Sequence, residues 1–163
     1  VAPTNRAAER IAQARFAVYG SEVYPDATFS LRLSYGRVAG WTYRGQEVAP
    51  FTYISGLYDR ATGSSPFDLA PQWAAAQGRV NGNAVFDYST TNDIIGGNSG
   101  SPVVNARGEV IGAAFDGNIH SLGGNFGYDG TLNRTVVVSS EAITEALRNV
   151  YGRSALLEEL GAR

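Results

Sequence analysis

The segment Thr91-Asn92-Asp93-Ile94-Ile95-Gly96-Gly97-Asn98-Ser99-Gly100-Ser101-Pro102 sets a serine among glycines where one extended run ends and another begins. Glycine on either side lets the backbone turn sharply, so that the Ser99 hydroxyl projects and the N–H groups of Gly97 and Ser99 aim at one spot. Two such donors can hold the oxyanion of a tetrahedral intermediate. The plainer reading of the same residues is a polar Gly/Ser turn between strands. On one side Ala84 to Tyr88 reads as a strand. On the other, Ser101 to Val104 and Glu109 to Phe115 read as a hairpin closed by Asn105-Ala106-Arg107-Gly108. Consecutive short strands joined by tight turns predict a mainly β, antiparallel domain.

Further out, Asn5 to Tyr19 carries Ala7, Ile11 and Val18 at helical spacing, with Thr4 or Asn5 to cap its start and Gly20 its end. Beyond Tyr24-Pro25-Asp26 the period changes. Phe29, Leu31, Leu33 and Tyr35 alternate with Ser30, Arg32 and Ser34, the clearest strand pattern in the chain. Arg37 to Trp41 and Phe51 to Tyr58 predict two more strands, with a turn near Arg44-Gly45-Gln46. Asp59 to Asn83 is mostly loop around a short helical piece at Trp73 to Ala76. Asn118 to Gly130 is glycine-rich and irregular, Arg134 to Val138 is a β-branched buried strand, and Ser139 or Ser140 caps a last helix that ends before Gly152. The expected layout is one domain over 1–163: a leading helix in 1–22, a barrel of about six strands in 24–139 and a C-terminal helix in 140–163.

Composition narrows the chemistry. The 163 residues, 44% of them hydrophobic, suffice for one domain with a real core. A net charge of −2, with every basic residue an Arg, argues against electrostatic nucleic-acid binding. The lack of cysteine removes disulfides, thiolate catalysis and thiolate metal sites, and one histidine, His120, cannot make a poly-histidine site. No metal or cofactor is expected, and with no long apolar run neither is a membrane span. The chain has no Met, and its start shows no signal-peptide pattern, so a processed product or a piece of something longer is expected.

The core G-N-S-G-S-P is similar to the G-D-S-G-G-P that surrounds the nucleophile of trypsin-like serine peptidases. In such folds the strand about 15–20 residues beyond the nucleophile lines the specificity pocket and pairs with the substrate backbone. Here that strand is Ala113-Ala114-Phe115-Asp116-Gly117-Asn118. Asp116 there can receive a positive charge, and Gly117 leaves the pocket mouth unblocked. An ordinary Asp-Gly turn at the end of a hairpin fits the same two residues.

Taken together, Y-P-D-A-T-F-S-L-R-L-S-Y-G at 24–36, T-N-D-I-I-G-G-N-S-G-S-P at 91–102, A-F-D-G-N at 114–118 and R-T-V-V-V at 134–138 resemble the C-terminal part of the bacterial dipeptidyl-peptidase 7 and 11 family. The resemblance covers nearly the whole chain. It implies serine exopeptidases that remove dipeptides from free N-termini, built as a trypsin-like double barrel with a helical domain inserted before the second barrel. This chain would be that second barrel, with Asn5 to Tyr19 leading out of the insertion.

The resemblance further implies Ser99 as nucleophile and Gly97 with Ser99 as oxyanion donors. It places Asp116 among the residues that hold the substrate's α-ammonium, and Gly117 at the position that sorts preference, Gly going with hydrophobic and Arg with acidic side chains before the cut. Asn98 stands where trypsin has an Asp that pairs with a newly cut N-terminus, so activation by that ion pair is not expected. The family's catalytic His and Asp lie in the first barrel, outside this chain. His120 reads as a solvated loop histidine and Asp93 as a cap on the turn into the oxyanion loop.

The expected partners are peptides with a free N-terminus and the N-terminal barrel and helical domain of the parent chain. Uncovered apolar surface would also let the isolated chain self-associate into a homo-oligomer. A periplasmic or cell-surface location follows from the family. Two other readings stand beside this one: a non-catalytic β-domain that binds peptides along a sheet edge, and a weak hydrolase that uses His120 as its base.

Overall fold

The computed structural model describes residues 2–20, 31–124 and 127–161. Two compact units divide the chain, Val1–Leu33 and Ser34–Arg163. The described part of the first comprises residues 31–33 and helix α1 (Ala2–Tyr19), which begins a turn earlier than its spacing predicts and is followed by Gly20 at φ +60°. That left-handed glycine gives the helix the stop expected of it.

The second unit holds the strands found among the described residues: β1 (Trp41–Tyr43), β2 (Gln46–Val48), β3 (Phe51–Tyr53), β4 (Val85–Thr90), β5 (Pro102–Val104), β6 (Val110–Gly117) and β7 (Thr135–Ser139). Helices α2 (Ile54–Asp59), α3 (Pro71–Ala76), α4 (Ser140–Glu145) and α5 (Ser154–Glu159) accompany them. Strands β1 and β2 form a hairpin, and the others a five-stranded sheet in the order β3-β4-β7-β6-β5, every neighbouring pair antiparallel. The expected class, mainly antiparallel β with helices before and after it, is borne out.

Local chemistry accounts for the turns. Arg44 and Gly45 both have positive φ, 51° and 78°, which is the two-residue turn whose twist suits a hairpin. Gly108, at φ +78°, closes the β5–β6 connection, and the Asn105 side chain accepts from the N–H groups of Arg107 and Glu109. At the start of α4 the Ser139 hydroxyl accepts from Ala142 N–H at 3.0 Å, with Glu141 in the first turn.

Three expectations need correction. The run from Phe29 to Gly36 forms no strand where it is described: Leu31, Leu33 and Tyr35 are each more than four-fifths exposed, while Phe29, Ser30 and Tyr24-Pro25-Asp26 lie outside the described residues. Instead, Arg37 to Ala39 lies along the end of β4 through single bonds, Thr91 N–H to Arg37 O and Ala39 N–H to Ser89 O, and a lone bridge between Val38 and Thr90. Gly36 is needed for this approach, since a Cβ there would stand 2.7 Å from Asn92 N. The strand expected at Phe51 to Tyr58 ends at Tyr53. Ile54 and Ser55 turn their N–H groups onto the carbonyls of Ala84 and Gly82, and α2 begins with Ile54 wholly buried. The C-terminal segment is not one helix through 163: α4 runs on into a π-helical turn at Ala146–Val150, and Gly152 at φ +63° separates this from α5.

The core lies between the sheet and these helices, around Ile54, Ala76, Tyr88, Ala114, Val137, Ala142 and Leu157. Tyr88 reaches past β7 to donate to Ile111 O at 3.3 Å, and burial pushes its hydroxyl up to about 12. Arg134 is buried as well. Its guanidinium donates to four backbone carbonyls, those of Gly40, Gly130, Asn133 and Thr131, at 2.7–3.3 Å. It thereby ties the entry to β1 to the loop before β7. Arg134→Met would keep the bulk and orphan those carbonyls, a loss of roughly 3 kcal/mol. Thermal unfolding should show Tm lower by about 6–12 °C. A shift under 2 °C would mean that the cage contributes nothing.

Candidate active site

Ser99 sits in the connection from β4 to β5, and its geometry is set by its neighbours. Gly97 at φ +103° and Gly100 at φ +84° take conformations that a side chain rarely adopts. Between them Asn98 closes the turn on itself: its Oδ1 accepts from Ile95 N–H at 2.9 Å, and its own N–H donates to Ile95 O at 3.1 Å. Ser101 N–H then donates to Asn98 O at 2.9 Å. Asn98 is thus an acceptor within this turn, and the Asp93 carbonyl accepts from the Ser34 hydroxyl at 2.9 Å.

The exit of the turn is stitched to β6. Gly100 N–H donates to Ala114 O at 2.7 Å, and Ala114 N–H donates to Ser101 O at 3.0 Å. The register of β6 against β7 slips between Ala114 and Asp116, so Phe115 is an extra residue. Such a bulge re-aims the strand locally. It turns the Phe115 carbonyl to the Ser99 hydroxyl, which donates to it at 3.3 Å. Ser99 is exposed, and among the described residues neither its N–H nor that of Gly97 has an acceptor. These are the two donors that an oxyanion would need.

Asp116 and Gly117 belong to β6, opposite Val136 and Thr135, so the Asp-Gly turn is not what they form. Asp116 is exposed, and its Oδ1 accepts from Gly117 N–H at 2.7 Å. Gly117 is less open than expected: a Cβ there would stand 2.7 Å from the Cβ of Ser121. Ser121 belongs to the 3₁₀ turn Ile119–Gly123, and its hydroxyl donates to Asn118 Oδ1 at 2.9 Å. Asn118 is buried and also donates to Leu132 O at 2.8 Å, while its Oδ1 accepts from Arg134 N–H at 3.2 Å. The end of β6 is therefore held by a polar node that sequence reading did not identify, although Asn118 closes the A-F-D-G-N motif.

His120 is corrected too. Rather than a solvated loop residue it is half-buried, its ring 5.0 Å from that of Tyr43 and 6.4 Å from that of Trp41 on the β1–β2 hairpin. Among the described residues the Ser99 hydroxyl has a carbonyl as its partner and no base. No group of three His, Cys, Asp or Glu suited to a metal occurs among them, and no helix there is long and apolar enough to cross a membrane.

A serine on a glycine-flanked turn with two N–H groups unengaged among the described residues is an arrangement that can serve a serine nucleophile. The model of the peptidase S46 family matches residues 2–162, and the chain belongs to that family. It is 36% identical over 146 residues to a dipeptidyl-peptidase 7 of Phocaeicola vulgatus, which covers 83% of this chain and 20% of the relative. An Asp/Glu-specific dipeptidyl-peptidase of Porphyromonas gingivalis is 30% identical over 151 residues, covering 84% and 20%. Among solved structures, Porphyromonas endodontalis DPP11 bound to the dipeptide Arg-Glu superposes with a TM-score of 0.79 at 24% identity, covering 91% of this chain and 23% of that one. The chain thus spans about a fifth of the length of the curated relatives it matches.

Proposed function

We propose that this chain is the nucleophile-bearing second barrel of a bacterial serine dipeptidyl-peptidase that releases dipeptides from free N-termini. The observation that carries the reading is the Ser99 turn: an exposed hydroxyl beside two N–H groups without acceptors among the described residues, braced by Asn98 and stitched to the strand that bears Asp116. In this mechanism Ser99 Oγ attacks the carbonyl that ends the dipeptide and gives its proton to a histidine supplied by another part of the protein. The N–H groups of Gly97 and Ser99 hold the resulting oxyanion. When the C–N bond breaks, the same histidine returns the proton to the leaving amine, and water then releases the dipeptide from the acyl-serine.

Asp116 is the counter-ion for the substrate's α-ammonium, and Gly117 favours an uncharged side chain before the cut. The lack of a cation at position 117 supports that preference. The protein acts in the periplasm or at the cell surface, and exposed Phe115, Ile119 and Leu122 lie on surface that the rest of the protein covers.

A fluorophosphonate probe tests this reading. The full-length protein should be labelled at Ser99 and should cleave a fluorogenic dipeptidyl amide. This chain alone, with no base near Ser99 among the described residues, should keep only a residual rate, on the order of 10³-fold over water. Labelling elsewhere in the full-length protein would displace Ser99, and robust turnover by the chain alone would mean that its base lies within 1–163.

A further inference from the structure

Away from Ser99, a cavity of about 380 Å³ opens beneath α2 and the loop that follows it, walled by Leu57, Phe67, Leu69 and Phe86, with Asp87 of β4 in the same wall. Asp87 is half-buried. Its backbone is engaged by Thr52 Oγ1, but among the described residues its carboxylate accepts no hydrogen bond and meets no cation within salt-bridge distance. Arg60 lines the same cavity with its guanidinium over Phe67, 4.7 Å from the ring centre, and forms no salt bridge with Asp87. Burial alone pushes the Asp87 carboxyl up to about 6, so at neutral pH a charge is held against an apolar wall without compensation.

A pocket of this size, mostly apolar with a few polar groups, has the build of a small-ligand site. The uncompensated carboxylate selects the sign of the ligand. The two carboxylates of the wall, Asp87 and Asp68, are too few donors for a metal ion, whereas one ammonium on a compact hydrophobic body satisfies both the Asp87 charge and the wall. We propose that this cavity binds a primary ammonium carried on a compact apolar body, with Asp87 as its counter-ion. The ammonium can belong to a free amine or to a lysine side chain of a polypeptide. The site lies outside the Ser99 turn and does not depend on the peptidase reading.

The test is a calorimetric or NMR titration of this chain at pH 7.5 with 2-phenylethylamine, its neutral isostere 2-phenylethanol and an N-acetyl-lysine amide. The expected result is that the amine binds at least tenfold more tightly than the alcohol, and that Asp87→Asn removes the difference. Tighter binding of the lysine amide than of the amine would identify the source as a polypeptide, and the reverse a free amine.

A folding control follows from linkage. Because the folded carboxyl titrates above its unfolded value, Asp87 is neutral and harmless below about pH 4, and it costs stability as pH rises through about 6. Asp87→Asn should therefore raise Tm at pH 7.5 and leave it nearly unchanged at pH 4. Amine binding to the unsubstituted chain should weaken as pH falls from 7.5 to 5. Asp68, Arg60 and Tyr53 are the other titratable groups of the wall, so the variant is carried through the same series, where this dependence should vanish. Equal binding of amine and alcohol, no binding of any probe, or an unaltered amine affinity in Asp87→Asn would each overturn the proposal.

Discussion

Ser99→Ala in the full-length protein should lower kcat/KM for a fluorogenic dipeptidyl amide by at least about 10⁴-fold, the scale on which serine hydrolases lose activity with their nucleophile. Tm should stay within the change produced by about 0.5 kcal/mol, because Ser99 is exposed and its hydroxyl makes one long bond, 3.3 Å to Phe115 O. The pairing of a large kinetic effect with a negligible structural one is what separates a nucleophile from a residue that shapes the turn. Asn98→Ala is the contrast. It removes the acceptor of Ile95 N–H, so activity and thermal stability should fall together. If Ser99→Ala retains turnover within tenfold, or loses Tm as Asn98→Ala does, Ser99 is structural.

Elements were legible where the signal was local. The β5–β6 hairpin follows from Asn105 to Gly108, whose side chain and left-handed glycine make the turn, and the α4 cap follows from Ser139. Periodicity misled where a partner was needed. Leu31, Leu33 and Tyr35 alternate as a strand should, yet alternation describes a face and not what covers it, and all three side chains are exposed. Ile54 to Tyr58 is apolar enough for a strand, but its N–H groups find the Ala84 and Gly82 carbonyls across a bulge, which starts a helix.

The site divides in the same way. Ser99 and its glycines could be read from spacing. The bulge that turns the Phe115 carbonyl to Ser99 could not, because it depends on how β6 meets β7, 18 or more residues further along the chain. Asn98 carries a local signal. Its position three residues after Ile95 was the available signal, since Asn at that distance can close a turn through its side chain. Arg134 offered none: four carbonyl partners, from Gly40 to Asn133, come together only when the loops do.

Asp116→Ala in the full-length protein should cost 2–5 kcal/mol, taking the range for a desolvated charge pair as roughly that, or about 30- to 5000-fold in kcat/KM for substrates with a free N-terminus. A free α-ammonium distinguishes an N-terminal dipeptide from an internal stretch, so on the proposed reading a carboxylate at a fixed distance from Ser99 would act as a ruler. The distance is fixed because Gly100 and Ser101 are bonded to Ala114, two residues before Asp116 on the same strand. N-acetylated substrates should lose a similar amount with the unsubstituted enzyme and nothing further with Asp116→Ala.

The neighbouring residue tests the other pocket. Gly117→Arg would bring a cation to the side chain before the cut, but its Cβ would press on Ser121, 2.7 Å away, in the turn that Asn118 anchors. The single variant should therefore lose about 1–3 kcal/mol of stability to overpacking, and Gly117→Arg combined with Ser121→Gly should recover part of it. In both, preference should move toward Asp or Glu before the cut. The measurement is kcat/KM for matched dipeptidyl substrates that differ only at that residue. If the unsubstituted enzyme already favours acidic side chains, or the folded double variant keeps the original ranking, β6 does not wall the pocket. If Asp116→Ala also leaves free and acetylated substrates as far apart as before, the ruler is another residue.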